Sequence, residues 1–510
     1  MHCLARMRPI VWYLVAGIAF CTLPVHSEKS SFIHTAVADA ALLVPLRTTA
    51  VTFTTIQTHK QGSKQIKKKR RKSRTLPNRR SSRRRTARAN VPIRSKPPGA
   101  IRGVQILYDS LLVPGIIYRK LDVLLADSMH SIVHAVTCVV RNPRYTIELA
   151  QSCDQLGKLE SVPAIVNRFD STLNRDVLIA INASFWQAGT RLPIGVSIND
   201  GELITATAVP WNALWLDRRY RPWIDSAFVE LTLRLPNGTT VPIASANQNL
   251  ATDGVALFNR FAGDSIPQLV PLDTAWLQQL RSLQAADTLD PTISTDSITT
   301  LQRSEAERWL SQYRRGKMLI RYLRQPAINQ PIPCVVLAML DSGRVEVPLR
   351  GAVLSYPVNH LLRTAVRPGD TVTLFCRTKR HDSLQFHYAV SGTPTLVADG
   401  QIKPQLEDTT HRGSAFVEQR LARTAIGTDL IQSVLYFVAV EATPGVSVGM
   451  NLRELAQFMK RFGAYNALNL DGGGSTTMVV GGRCVVPSNS SFYRPVANAL
   501  VIWQRRKGSR

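Results

Sequence analysis

Short runs of apolar and β-branched residues recur along the chain after about residue 103, and each is of strand length rather than helix length. The runs lie at 132–140, 145–149, 177–182, 193–198, 227–235, 240–244, 334–340, 345–349, 371–375, 434–440 and 467–470. Turn sequences such as Asn-Asp-Gly at 199–201 and Pro-Asn-Gly at 236–238 separate several of them, which is typical of β-hairpins. We therefore predict mixed, mostly antiparallel sheets, in which 132–140 and 145–149 form a hairpin or meander.

Two parts of the chain have helical periodicity instead. In the clearer one, Asn451 is a potential N-cap, Glu454 follows three residues later and Gly463 ends the pattern. Its apolar stripe consists of Leu452, Leu455, Ala456, Met459 and Phe462. The second part, about 274–324, predicts a helical insertion packed on a sheet. The expected fold class is α+β, with helices packed on the sheets of one domain at about 100–505.

The positive charge of the chain is concentrated in one segment. The net charge is +28 over 510 residues, yet the 45% hydrophobic content is that of a globular protein. No Asp or Glu occurs between Asp39 and Asp109, and the lysine and arginine runs lie within 60–96. We predict a disordered basic segment at 27–99. Two roles are open for it, contact with anionic lipid or acidic polysaccharide, and that of a solvated linker.

The first 26 residues have a secretory signal pattern. Arg6 and Arg8 precede an apolar run at 10–25, which is short for a transmembrane helix. We predict export with cleavage of residues 1–26, and permanent anchoring by the N-terminus is the alternative. The expected location is the periplasm, the cell envelope or the extracellular space. Because the signal directs the basic segment away from DNA and RNA, no nucleic-acid partner is expected.

The candidate chemistry centres on a glycine string at 469–478, Asn-Leu-Asp-Gly-Gly-Gly-Ser-Thr-Thr-Met. Three consecutive glycines lose much backbone entropy on ordering, so they indicate either a backbone that approaches a ligand closely or a plain turn. Standard phosphate-loop, dinucleotide, HExxH and nucleophile-elbow motifs do not occur. No CxxC occurs either, and His130 and His134 would have metal-ligand spacing only in a helix. We predict no metal and no cofactor.

Polar residues also follow or flank other predicted strands. Asp471 ends the strand at 467–470, Asn182 ends the one at 177–182, and Arg423 and Asp429 flank the segment before 434–440. If these strands are neighbours, their ends bring carboxylates, an amide and a guanidinium together around the glycines. Such an assembly suits an anionic substrate that is rich in hydroxyl groups.

Several of these stretches carry a pattern known from one family. They are 469–478, 423–427, 392–400, Asn182 with Phe185, Gly195, and Arg494 with 496–498. Together they resemble the phosphodiester glycosidase family, over about residues 103–504. The resemblance implies an exported hydrolase that cleaves sugar-1-phosphodiesters in envelope or extracellular glycans, releasing the sugar and leaving a phosphomonoester.

The resemblance also implies roles for individual residues. Asp471 is the expected carboxylate acting on the anomeric carbon or on water, with Asp429 or Glu441 as the second carboxylate. Arg423 is expected to neutralise the charge of the diester. The expected substrate-binding residues are Asn182, Thr424, Asn469, Gly472, Gly473, Gly474, Ser475, Thr476 and Arg494.

Four positions depart from the family pattern. Ala183 and Ser184 stand where the family usually has two glycines, Leu421 stands where it often has a histidine, and Glu441 stands where an aspartate is common. A second hypothesis therefore stays open, in which the chain is a non-catalytic relative that binds anionic envelope polysaccharide.

Overall fold

The computed structural model of the chain describes residues 100–506, apart from 188–189, 207–208, 210, 249–252, 268–309, 408–414 and 489–491. The predicted signal segment, the basic segment and most of the predicted helical insertion lie outside the described residues. Within the described part of the chain, no helix is both long and apolar enough to cross a membrane.

The largest sheet has eight strands, and all neighbouring strands in it are antiparallel. In spatial order they are β1 (Ile101–Val113), β2 (Ile116–Leu125), β3 (His130–Val139), β23 (Val434–Val440), β22 (Arg423–Thr428), β26 (Asn466–Asn469), β20 (Thr395–Ala398) and β21 (Gln401–Ile402). The central strand β22 is fully buried and its neighbour β26 is buried apart from Asn466, as expected for strands covered on both faces. The strand predicted at 467–470 is confirmed as β26, which leads directly into Asp471.

A second, five-stranded sheet carries Asn182. Its spatial order is β28 (Arg483–Cys484), β27 (Met478–Val480), β5 (Arg175–Asn182), β29 (Asn498–Arg505) and β4 (Thr146–Gln151). The predicted hairpin between 132–140 and 145–149 is wrong, because β3 pairs with β2 and β23 whereas β4 pairs with β29 in this other sheet. The intervening Arg-Asn-Pro segment thus connects two layers.

A third sheet of five strands is interrupted by a closed barrel. Its order is β7 (Glu202–Ala206), β6 (Val196–Asn199), β19 (Phe386–Gly392), β8 (Asn212–Asp217) and β9 (Pro222–Ser226). Between β9 and β19 the chain forms the barrel, in the order β10 (Val229–Arg234), β11 (Thr240–Ala246), β12 (Val255–Asn259), β17 (Gly351–Tyr356), β14 (Gly316–Tyr322), β15 (Ile332–Leu340) and β18 (Thr371–Thr378). Pairing of β18 with β10 closes it.

The barrel corrects part of the predicted insertion. The helical pattern was extended to residue 324, but Gly316–Tyr322 is a barrel strand paired with β15 and β17. In the described part of the predicted helical segment, residues 310–313 are helical and 316–322 form a barrel strand, and the remainder, up to residue 309, lies outside the described residues.

Helices and short sheets complete the described part of the chain. The helices are α1 (Val162–Asn167), α2 (Leu362–Ala365), α3 (Pro404–Glu407), α4 (Ala415–Glu418) and α5 (Leu452–Phe462). The two-stranded sheets are β13 (Ser265–Ile266) with β16 (Val345–Glu346), and β24 (Ala442–Thr443) with β25 (Ser447–Val448). The α5 prediction is confirmed, with a complete capping box between Asn451 and Glu454 and with Gly463 in the left-handed conformation.

The layers meet in distinct apolar cores. One face of the eight-stranded sheet packs against both five-stranded sheets, as in the contact region of Ile426, Ile181 and Val390. The opposite face packs against α5 through residues such as Ala425 and Leu455. The fold is thus dominated by strands, with mostly antiparallel pairing as predicted. Few helices pack on it, so it matches the α+β prediction only in part.

Candidate active site

The side chain of Asn182 is the polar centre of the region where the eight-stranded and second sheets meet. Asn182 is the last residue of β5 and is fully buried. Its amide N–H donates to the backbone carbonyl of Asp471 (2.6 Å), and its amide oxygen accepts from the Thr424 hydroxyl (2.9 Å) and the Thr477 N–H (3.0 Å). The Asn182 amide therefore bonds to Asp471 before the three glycines, to Thr477 after them, and to Thr424 on the eight-stranded sheet. Asn182, Thr424 and Asp471 thus lie together, as predicted.

Asp471 is held by its backbone and has an unusual carboxyl group. Its N–H donates to the carbonyl of Ala183 (3.0 Å), and its Oδ1 accepts from the N–H of Gly472 (3.0 Å). Burial raises the pKa of the Asp471 carboxyl from 3.8 to about 6, although the Ser475 hydroxyl, the Arg494 guanidinium and the Gly472 N–H each lower it. At neutral pH this group is mostly ionised and is a stronger base than an ordinary aspartate.

The backbone N–H groups of the three glycines do not all point to a ligand. The N–H of Gly472 is bound to the Asp471 carboxylate, and the N–H of Gly473 donates to the carbonyl of Ala422 (2.7 Å). Within the described residues, only the N–H of Gly474 among the three has no hydrogen-bond acceptor. The predicted substrate-binding role for the N–H groups of Gly472 and Gly473 is therefore corrected. These two groups order the loop, and Gly474 alone offers a donor.

Arg494 lies flat against Gly474. A Cβ atom at Gly474 would be 2.8 Å from Cζ of Arg494, so only a glycine allows this approach. The guanidinium is close enough to lower the pKa of Asp471, yet it forms no hydrogen bond or ion pair with any described residue. Its N–H groups are therefore available to an anionic ligand, and the prediction that Arg494 lies at the site agrees with this placement.

Arg423 is buried and bound to the protein itself. Its Nε donates to the carbonyl of Met450 (3.0 Å), and its Nη2 donates to the carbonyls of Phe416 and Gln419 (both 2.8 Å). Desolvation lowers the pKa of its guanidinium to about 10. Arg423 lies at the site, but these bonds assign it to holding α4 in place rather than to a free contact with phosphate.

Asp429 lies at the other end of β22 from Arg423. Six residues of extended strand correspond to roughly 20 Å. The Asp429 carboxylate caps the turn into β23, accepting from the N–H groups of Ser433 (2.7 Å) and Val434 (2.9 Å) and from the Ser433 hydroxyl (2.7 Å). The structure therefore does not bring Asp429 to Asp471 as the predicted second carboxylate, because the two ends of one strand lie far apart.

Glu441 is at the correct end of its strand but is engaged elsewhere. Its Oε1 lies 2.5 Å from Nε2 of His134, and both side chains are almost fully buried. Nδ1 of His134 is in turn 2.8 Å from the Tyr118 hydroxyl, and Lys120 Nζ is 3.8 Å from Glu441. These contacts tie β2, β3 and β23 together. The structure does not bring the Glu441 carboxylate to Asp471, so the predicted second-carboxylate role is not supported.

The remaining predicted residues flank Asp471 along the chain. Asn469 donates through Nδ2 to the carbonyl of Thr393 (2.7 Å), and the Ser475 side chain is buried beside the Asp471 carboxylate. Two buried oxygens, Oδ1 of Asn469 and Oγ1 of Thr476, have no hydrogen-bond partner in the structure. Because a buried acceptor without a partner is costly, both atoms are suited to accept a hydrogen bond from a sugar hydroxyl or a water molecule.

The positions that depart from the family pattern are held by backbone contacts. The N–H groups of Ala183 and Ser184 donate to the backbone carbonyl (3.2 Å) and side-chain oxygen (2.9 Å) of Asn498. Leu421 pairs with Met450 through two backbone hydrogen bonds. No ionisable side chain is supplied at these three positions, so the described site contains a single carboxylate, Asp471.

Sequence reasoning missed two aromatic residues at the site, Trp211 and Phe416. Their rings contact Phe185, with centroid distances of 5.7 and 6.2 Å. Neither residue belongs to a recognisable motif, and Phe416 follows a stretch without clear periodicity. No sequence signal places them beside Asp471.

Other parts of the described chain offer no competing centre. In residues 100–506, outside the gaps, no group of three or more His, Cys, Asp or Glu side chains could hold a metal ion. A surface depression of about 410 Å³ is lined by Ile101, Ile402, Gln457, Lys460 and Arg461. It contains none of the predicted site residues and lies at the end of α5 remote from its N-cap.

Comparison with known families and relatives points to the same region of the chain. Residues 343–503 match the family model described as phosphodiester glycosidase. The chain is 36% identical over 105 residues to the mouse N-acetylglucosamine-1-phosphodiester alpha-N-acetylglucosaminidase, and 37% identical over 105 residues to the human protein of that name. Each alignment covers 19% of this chain and 20% of the relative, so the chain matches about a fifth of the length of these relatives.

Solved structures resemble a larger part of the chain. A hypothetical protein from Synechocystis has a TM-score of 0.55 and 18% identity, covering 79% of this chain and 64% of its own. A protein from Burkholderia pseudomallei K96243 has a TM-score of 0.54 and 16% identity, covering 80% of this chain and 98% of its own. At this level of identity the similarity concerns the fold.

Proposed function

We propose that the chain is a phosphodiester glycosidase that hydrolyses a sugar-1-phosphodiester at Asp471, a proposal supported by the match of residues 343–503 to that family. The observation that carries the proposal is the pairing of a carboxyl group of raised pKa with an unbound guanidinium, Arg494, at the end of β26. Hydroxyl-binding atoms and a loop fixed by Asn182 surround this pair. The sugar named in the mouse and human relatives, N-acetylglucosamine, is the first substrate to test.

The diester phosphate binds to Arg494 and to the N–H of Gly474. These two hydrogen-bond donors are adjacent to each other, and neither donates to another described residue. Charge-assisted hydrogen bonds of this kind contribute about 1.5–3 kcal/mol each. Arg423 does not contact the phosphate. Its hydrogen bonds to backbone carbonyls hold α4 beside the site.

Asp471 acts in its ionised form on the anomeric carbon or on a water molecule beside it. In the net reaction the oxygen of water and one of its protons become the sugar hydroxyl, and the bond between the anomeric carbon and the phosphate oxygen breaks with its electron pair remaining on phosphate. The other proton of the water passes to the Asp471 carboxylate and from there to solvent. The leaving phosphomonoester has a second pKa of about 6, so it departs without protonation by an acid. One carboxylate is therefore sufficient, which agrees with the positions of Asp429 and Glu441.

The test is release of free sugar from uridine diphosphate sugars and simpler sugar-1-phosphodiesters by the purified chain. Asp471→Asn should lower kcat by about 10²–10⁴-fold, the usual contribution of a positioned acid or base. Asp382→Asn, a change of the same kind at an exposed aspartate, should leave the rate unchanged.

A second candidate function is binding of anionic polysaccharide without turnover. The missing family histidine at Leu421 and the single carboxylate favour it. If the wild-type chain and Asp471→Asn both release no sugar over the full substrate panel, while Arg494 is still required for polysaccharide binding, this function replaces hydrolysis.

The N-terminal sequence supports a proposal about location. The signal pattern at 1–26 suggests that the chain acts in the periplasm, the cell envelope or outside the cell, on glycans there. The basic segment at 27–99 would contact anionic lipid or polysaccharide, each basic residue contributing about 1 kcal/mol near a charged surface. N-terminal sequencing of the chain recovered from cell fractions tests both points. Recovery of the uncleaved chain in the cytosolic fraction would contradict them.

A further inference from the structure

Three aromatic rings from distant parts of the chain meet in one cluster, and the segments that carry them contact the strand and loop around Asp471. Phe185 lies edge to face with Trp211 at 5.7 Å and with Phe416 at 6.2 Å between ring centroids. Phe416 also stacks on the Arg423 guanidinium, whose Cζ is 5.1 Å from the ring centre. We call Phe185, Trp211 and Phe416 the aromatic wall.

Each ring is tied to the end of β26 through its own backbone segment. Phe185 follows Ala183 by two residues, and the carbonyl of Ala183 accepts from the N–H of Asp471. Trp211 precedes Asn212, which pairs with Gly392, and a Cβ atom at Gly392 would clash with the carbonyl oxygen of Asn469. The backbone segments that carry Phe185 and Trp211 are therefore anchored at the end of β26, where the proposed reaction centre lies.

A second tie runs through Arg423, the residue that holds Phe416. Its Nη2 donates to the carbonyl of Phe416 at 2.8 Å, and its side chain lies next to Gly472. Because Gly472 directly follows Asp471, the third ring is also anchored at the glycine string.

The rings are not explained by packing of the core. All three are partly exposed, and Phe185 and Trp211 belong to none of the buried apolar clusters formed by the described residues. Phe416 packs only on the border of the cluster beneath α5. Partly exposed aromatic rings that meet next to polar catalytic groups are typical of ligand sites.

We propose that the aromatic wall binds the apolar face of the sugar ring of the substrate, with Trp211 as the main platform. The inference rests on the proposed hydrolysis, since the anomeric carbon must then lie at Asp471. The ring bearing that carbon is the substrate group next to the wall, whereas the aglycone lies beyond the phosphate held by Arg494. A pyranose ring presents C–H groups of slight positive charge, which complement the negative faces of aromatic rings.

The experiment measures binding rather than turnover, by isothermal titration calorimetry on the full chain. The probes are N-acetylglucosamine 1-phosphate, glucose 1-phosphate and inorganic phosphate. Trp211→Ala should weaken binding of the sugar phosphates by about 10-fold, because one aromatic contact and its buried area are lost. Trp211→Phe should lose less, and binding of inorganic phosphate should stay unchanged in both variants.

Phe228→Ala is the matched control, because Phe228 is an exposed aromatic residue in the connection from β9 to the barrel. It should bind every probe as the wild type does. If Trp211→Ala does not fold, Phe185→Leu tests the same wall and should show the same selective loss.

Two results would overturn the inference. One is a folded Trp211→Ala chain that binds sugar phosphates with wild-type affinity, and the other is an equal loss for inorganic phosphate, which would make the ring a support for the loop. Failure of the proposed hydrolysis is a separate result. In that case sugar binding would still depend on Trp211, although no diester would be cleaved.

Discussion

Asn182 shows how one residue fixes the candidate site. Its amide uses both of its functional ends, donating to Asp471 and accepting from Thr424 and Thr477, with no exposure to solvent. Such an arrangement is specific to an asparagine, since an aspartate could not donate and a leucine could do neither. The orientation of Asp471 is therefore set by an interaction between two sheets rather than by the glycines alone.

The raised pKa of Asp471 predicts a pH-dependent stability difference. Because the folded-state pKa, about 6, is above the unfolded value near 3.9, the proton binds the folded chain more tightly. The associated stabilisation is complete below about pH 4 and is lost as the pH rises through 6. Asp471→Asn should thus be more stable than wild type by about 1–3 kcal/mol at pH 8 and equal to it at pH 4.

Urea unfolding of both chains at pH 4, 6 and 8 measures this difference. Asp382→Asn, at an exposed position, should show no such trend. A constant difference between Asp471→Asn and wild type at all three pH values would contradict the raised pKa.

The contact between Gly474 and Arg494 predicts a loss of phosphate binding without loss of fold. A methyl group at Gly474 would lie 2.8 Å from the guanidinium, and the end of this flexible side chain must then move away. Gly474→Ala should weaken binding of inorganic phosphate by about 10-fold or more, as expected for one charge-assisted hydrogen bond. Calorimetric titration measures the change.

Gly473→Ala is the matched control for this loop. Gly473 has φ +58° but open space at its Cβ, so alanine there costs about 1–2 kcal/mol of backbone strain without touching Arg494. Phosphate affinity should remain at the wild-type level. If both variants lost affinity equally, loop strain rather than the position of Arg494 would be responsible.

Turns and helix ends, which depend on adjacent residues, could be predicted from the sequence. The pairing of strands that are distant in sequence could not. Asn-Asp-Gly at 199–201 turns β6 into β7, and the cap at Asn451 begins α5, because a few adjacent residues determine each feature. β3 pairs with the preceding β2 and with the distant β23, and β4 pairs with the distant β29, so the expected pairing of the two neighbouring runs, β3 with β4, does not occur.

The difference between local signals and distant strand pairing also explains which residues of the candidate site could be predicted from the sequence. Asp471 and Asn182, predicted from polar residues at strand ends, are brought together with Thr424 and Arg494, which the family resemblance implied. Asp429 does not join them because residues 423–428, which the sequence pattern presents only as the segment before 434–440, are themselves a strand, β22. Arg423 and Asp429 therefore lie at its opposite ends.

The capping box of α5 predicts a moderate stability effect. Asn451 accepts from the N–H of Glu454 (2.9 Å), and Glu454 accepts from the N–H of Asn451 (3.0 Å). Asn451→Ala removes one of these bonds and should lower the free energy of unfolding by about 1 kcal/mol. Asn451→Ser keeps an acceptor and should cost only a few tenths. Chemical denaturation of the wild type, Asn451→Ala and Asn451→Ser measures these differences. Equal free energies of unfolding would show that the cap does not stabilise the fold.

Over the whole molecule, the barrel and the third sheet share one core. Trp215 on β8 is almost fully buried and packs on Phe386 at 5.2 Å between ring centroids. The same apolar cluster includes barrel residues such as Leu233 and Met318. The barrel is thus an insertion in sequence but part of the main fold in its packing.

This shared core predicts a single unfolding transition for the described layers. Trp215→Ala should lower the free energy of unfolding by about 3–5 kcal/mol, and Trp215→Phe by less, without splitting the transition. Far-ultraviolet circular dichroism and tryptophan fluorescence should give the same midpoint for each chain. Separate midpoints would indicate that the barrel unfolds on its own.

The position of β29 between β4 and β5 affects how the chain folds. Trp503 on β29 donates to Glu148 on β4 across 355 residues, and Ala499 pairs with Asn182 itself. The entropy of closing so long a loop is lost before the stabilising contacts between these strands form, and this slows folding. During synthesis on the ribosome, the strand carrying Asn182 therefore waits for its neighbour until nearly all the residues described here have been made. Until then its unpaired edge is available to chaperones and to wrong partners.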